Sequence, residues 1–124
     1  MPDAQVDFDA PDLAARIERL SQSELDQLPF GVVLLDREHT VMFFSATEAR
    51  LSGLDELPLG QNFFSIARSA SKRDVQARIV AAREEGPVDL EFAFPGDGAG
   101  EKRESRVRVQ SARQGGVWLF IERD

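Results

Sequence analysis

The chain has no cysteine and no tyrosine, and a single histidine and a single tryptophan in 124 residues. Without a thiol there is no disulfide, no Cys-ligated zinc and no thiol nucleophile or thioester. One histidine, and serines without an evident base beside them, assemble no nucleophilic triad, so the chain reads as a non-enzyme. His39 stands in a polar turn, where a solvated ring is expected, and no histidine on the predicted long helix could ligate haem. No metal or cofactor is expected. No apolar run approaches membrane-spanning length, and the start MPDAQVDFDAPD lacks the regions of a secretory signal, so a cytoplasmic place away from membranes is expected. Positive charge is short as well. The net charge is −7 and the pI about 4.7, which sets the chain against a phosphate-binding surface and against nucleic acid as a partner.

What is there supports one folded domain, with 42% hydrophobic and 30% charged residues. Residues 2–11 form an acidic arm with Asp3, Asp7 and Asp9, in which Val6 and Phe8 are the anchors. Residues 12–20 place Leu13, Ile17 and Leu20 on one helical face, with Asp12 as the candidate cap. Residues 23–28 predict a second helical turn, stopped by Pro29. The apolar run 32–35, the polar turn 36–39 and the β-favouring run 40–44 predict a hairpin. Residues 45–53 then predict a helix capped by Ser45, with Glu48 in its first turn and Gly53 at its stop.

After a loop over 57–60, GQNFFSIARSAS at 60–71 begins a short helical element. The longest helix is predicted over 71–85, with Val75, Ile79 and Ala82 on one face and Gly86-Pro87 as its end. Val88, Leu90, Phe92 and Phe94 alternate as a half-buried strand. The glycine-rich turn 96–100 is followed by a strand, not a helix, so it reads as a hairpin loop and not a phosphate cradle. The return strand, 102–112, sets Val107 and Val109 opposite Arg106 and Arg108. Residues 117–121 are apolar on both faces, the mark of a central strand covered on both sides. The expected fold is α+β: a five-stranded antiparallel sheet with helices on one face and an N-terminal helical cap on the other. Residues 1–28 make the arm and cap, and residues 29–124 the core.

ELDQLPFGVVLLD at 24–36, TEARLSG at 47–53, GQNFF at 60–64 and VWLFIER at 117–123 stand in an order and spacing that resembles a PAS domain of the photoactive yellow protein type. That resemblance implies a hydroxycinnamoyl chromophore held as a thioester by a cysteine a few residues after GQNFF. Ungapped extension puts Ala70 at the attachment position, between Ser69 and Ser71. Of the two side chains that hold the chromophore phenolate in the family, the glutamate position falls on Glu48 and is kept; the tyrosine position falls on Phe44 and has lost its hydroxyl. Two of the three chromophore-defining groups are therefore absent.

The candidate pocket residues are Glu48, Phe44, Phe64 and Ala70. An inward Glu48 without a charged partner would favour its neutral form and donate a hydrogen bond to a ligand oxygen; the bland alternative is a solvated first-turn Glu favoured by the helix dipole. Phe43, Phe44, Phe63, Phe64, Phe92, Phe94 and Phe120 either fill the core or line a pocket for a flat apolar ligand, and packing is the simpler reading. Lys102, Arg103, Arg106 and Arg108 form a basic stripe suited to an acidic partner or to the chain's own arm. Val6, Phe8, Arg106, Arg108 and Trp118 are the candidate switch or interface residues. The leading expectation is a single-domain PAS signalling protein without covalent chromophore, acting by contact with a sensor kinase, a regulator or a second copy of itself. The alternatives are a sensor that holds an apolar or aromatic ligand noncovalently, and a blue-light receptor with an unusual attachment.

Overall fold

The computed structural model describes residues 8–52, 58–66, 70–95, 104–113 and 115–123. Helices α1 (Leu13–Ile17) and α2 (Gln22–Asp26) precede the hairpin of β1 (Gly31–Leu35) and β2 (Val41–Phe44). Helices α3 (Ala46–Ser52), α4 (Phe63–Ile66) and α5 (Ala70–Glu85) follow, and then β3 (Asp89–Pro95), β4 (Glu104–Ser111) and β5 (Val117–Arg123). The five strands pair antiparallel in the order β2-β1-β5-β4-β3. β5 therefore lies at the centre, as its two apolar faces require.

The period of two along each strand sorts side chains between two cores. Val33, Leu35, Val107, Val109, Val117, Leu119 and Ile121 face α5, where Val75 and Ile79 meet Phe44, Phe63 and Phe92. Val32, Trp118 and Phe120 face the other way, onto Leu13, Ile17, Leu25 and Leu28 of the cap. The sheet is thus covered on both faces, as expected. Phe8 and Phe30 join the cap-side core and extend its aromatic content: Phe8 meets Phe30 edge-on, Phe30 meets Phe120 likewise, and Trp118 stacks on Phe120. Phe43 and Phe64 are only partly buried. The side chain of Phe94 lies outside the described residues, as do Gly53, Lys102 and Arg103.

Three local expectations need correction. The Asp12 side chain makes no capping bond to α1 and instead pairs with Arg16 at 2.7 Å, an i,i+4 ion pair. The second cap helix begins earlier than residue 23, because Ser21 and Glu24 form a reciprocal capping box. His39 is not solvated. It is 7% exposed, in the left-handed region at φ 69, with its ring edge-on to Phe64 and Nδ1 3.4 Å from Gln76 Nε2. The GQNFF segment folds over the β1–β2 turn and buries the ring: Phe63 N donates to the His39 carbonyl and Asn62 Nδ2 to that of Glu38.

Candidate functional site

Two places in the fold hold residues singled out from the sequence. The first lies between α3 and β1. Ser45 caps α3 by accepting from Glu48 N, and the same Oγ accepts from Val32 N at 3.1 Å. Its own N–H donates to Val32 O. The Glu48 side chain turns inward from this first turn. Thr47 Oγ1 donates its one proton to Leu28 O at 2.7 Å, with Asp26 O a second acceptor within reach at 3.1 Å, while Asp26 Oδ1 accepts from Ala46 N. The start of α3 is thereby clamped to the cap junction and to β1.

Glu48 is 2% exposed, so the buried alternative describes it and the solvated one does not. Its carboxyl lies directly over Gly31: a Cβ built on Gly31 would stand 2.0 Å from Glu48 Oε1. Gly31 is the residue that lets this carboxyl approach the β1 backbone, a requirement hidden in the sequence. Phe44 is buried in the α5-side core and Phe64 packs against that core from its edge. Ala70 opens α5, but its side chain lies outside the described residues, as do Ser69 and the side chain of Ser71.

The second place is the cap face of β4. Arg106, Arg108 and Gln110 point there in a row, opposite to Val107 and Val109. Arg108 is 7% exposed, and its Nη1 donates to the carbonyls of Phe8 and Ala10, each at 2.7 Å. Gln110 accepts from Ala14 N at 2.7 Å and donates to Pro11 O at 3.2 Å. Arg106 pairs with Asp9, with Glu91 at 2.9 Å and with Glu122 at 3.2 Å, and its guanidinium covers the Phe8 ring. The hydrogen bond from Arg106 holds the Asp9 carboxyl below its ordinary range. Trp118 is buried under the cap, and its Nε1 donates to Glu18 Oε2 at 2.9 Å, so it faces no open surface while the cap is docked. Val6 lies outside the described residues. Among the described residues the arm meets the basic stripe at Arg106, which reaches the Asp9 carboxylate, and at Arg108, which reaches the carbonyls of Phe8 and Ala10. Gln110 and Glu18 were missed because a neutral or isolated polar residue on a strand or short helix gives no sequence signal of its own.

No protein-family model matches the chain. It is 30% identical over 125 residues to a photoactive yellow protein of Cereibacter sphaeroides, covering 95% of this chain and 97% of the relative. The chain belongs to the photoactive yellow protein family. The photoactive yellow protein domain of the sensor histidine kinase Ppr from Rhodospirillum centenum superimposes with a TM-score of 0.70 at 26% identity, covering 86% of this chain and 95% of that one. A PAS domain of an HTR-like protein from Haloarcula marismortui shares the fold at a TM-score of 0.51 and 21% identity, with coverage of 86% and 93%. This family member is a PAS-type signalling domain that contains no cysteine anywhere in its sequence. Among its described residues no helix is long and apolar enough to cross a membrane.

Proposed function

We propose that this photoactive yellow protein homologue signals by protein contact, without a covalent chromophore and without catalysing a reaction. The observation that carries the reading is the sequence itself: no thiol exists for a thioester, and the position expected to bear it is Ala70. The cap then serves as the output element, held to the sheet by Arg108 and Gln110 and separable from it as residues 1–28. A sensor kinase, a regulator or a second copy of the chain in the cytoplasm is the partner class. Relatives of this fold include a domain of a sensor histidine kinase. An exposed Met42, at 56%, beside a groove of about 450 Å³ between cap and β2 adds apolar surface suited to such a contact.

A noncovalent sensor is the second reading, favoured by the buried Glu48 carboxyl against Gly31. Phe44 and Phe64 would supply its apolar walls. Native mass spectrometry after mild purification separates the two. A mass equal to that of the chain or its oligomer supports the contact protein; a reproducible excess supports the ligand sensor.

A further inference from the structure

We propose that the cleft between Arg37 and Arg83 binds a phosphoryl-type oxyanion. It lies where the β1–β2 and β4–β5 turns meet the last turn of α5, and Ser111 and Gly86 also line it. Arg83 is fixed by its Nη1 donating to Arg37 O at 3.0 Å and, more weakly, its Nη2 donating to Gly115 O at 3.4 Å. The Arg37 side chain crosses the same glycine: a Cβ on Gly115 would stand 2.5 Å from Arg37 Nε. Gly115 has φ +111, so glycine is needed there for the backbone as well as for the arginine. Both guanidiniums therefore flank one peptide.

Neither has a carboxylate partner among the described residues, unlike Arg16 and Arg106. The nearby Asp36 carboxylate pairs with neither arginine; its Oδ1 accepts from Glu38 N and Thr40 N. Two cations side by side repel each other, and an anion between them removes that cost. The cleft volume of about 320 Å³ is roughly ten times the share of one water in the liquid, enough for a phosphoryl group with part of its hydration. The net charge of −7 works against a polyanion spread over the surface, but screening over a Debye length of about 8 Å leaves a small anion governed by the charges at the cleft.

His39 is a built-in reporter because it is the chain's only histidine. Burial depresses its basicity, the positive charge of Arg83 adds to that, and Asp36 opposes it. An anion held at Arg83 would offset the Arg83 contribution and raise the His39 midpoint. The test is a proton NMR titration of His39 in the full chain with inorganic phosphate at constant ionic strength, with acetate and phosphoserine as parallel arms. A saturable rise of the His39 midpoint at millimolar phosphate, weakened about tenfold or more in Arg37→Gln and Arg83→Gln, is expected. Arg37→Gln removes an exposed side chain and leaves the Arg83 bonds to the backbone in place. Tighter phosphoserine would identify a phosphorylated side chain as the source; equal or weaker phosphoserine, the free anion. A response that does not saturate, that survives both substitutions, or that acetate reproduces at equal concentration would overturn the assignment.

Discussion

Replacing Arg108 by glutamine should release the N-terminal arm while the sheet stays folded. The guanidinium is buried and makes two bonds of 2.7 Å to the carbonyls of Phe8 and Ala10. Bonds to a charged group contribute about 1.5–3 kcal/mol each, and the freed carbonyls recover part of this from water, so arm docking should weaken by about 2–4 kcal/mol. That is comparable to the ~1.5–3 kcal/mol gained by burying the Phe8 ring, so the ring alone would leave the arm loosely held. Arg106, by contrast, holds partly exposed carboxylates, and such pairs contribute about 0–1 kcal/mol. Hydrogen exchange at the Ala14 amide, which donates to Gln110 Oε1, reads the local opening. At about 1.4 kcal/mol per tenfold, its protection should fall by roughly 30- to 700-fold in Arg108→Gln and by less than about tenfold in Arg106→Gln. Unchanged protection in Arg108→Gln, or an equal loss in both variants, would refute the reasoning.

Other consequences follow from the same contacts. Gly31→Ala should destabilise the fold by about 1–3 kcal/mol in urea unfolding, because its Cβ would strike the Glu48 carboxyl. A second substitution, Glu48→Ala, should recover part of that loss; no cost in the single variant would show that Glu48 is not seated over Gly31. His39 has a depressed folded pKa, so its contribution to stability is complete above its ordinary value of 6.5 and is lost as pH falls toward the folded value. Denaturation midpoints should therefore drop on acidification below that value. The slope should flatten in His39→Asn, a residue that tolerates the left-handed backbone; an unchanged slope would exonerate the histidine. Asp9 is also depressed, below 3.8, so its link to Arg106 persists above that value and loosens as pH falls through the lower one. Trp118 emission should follow this release in acid, and Asp9→Asn should blunt the response.

The sheet was legible because strand side chains alternate with period two. Val107 and Val109 against Arg106 and Arg108 already assigned the two faces of β4, and the doubly apolar β5 demanded the centre. The cap was legible from the Leu13 and Ile17 stripe. Most of what escaped was set by contacts between segments distant in sequence. His39 looked like a turn residue because nothing near it in sequence announces that Phe64 will close over its ring. Asp12 had two partners within reach, the α1 amides and Arg16, and composition cannot rank them. Gly31 sits at the head of an apolar run like any strand-opening glycine; only the inward turn of Glu48 over it makes it indispensable.

Incubating the purified chain with an activated hydroxycinnamate, then reading its intact mass and visible absorption, tests most directly whether this family member works without a covalent chromophore. The predicted result is an unchanged mass and a spectrum confined to the Trp118 and Phe bands. A stable adduct with a visible absorption peak would contradict it.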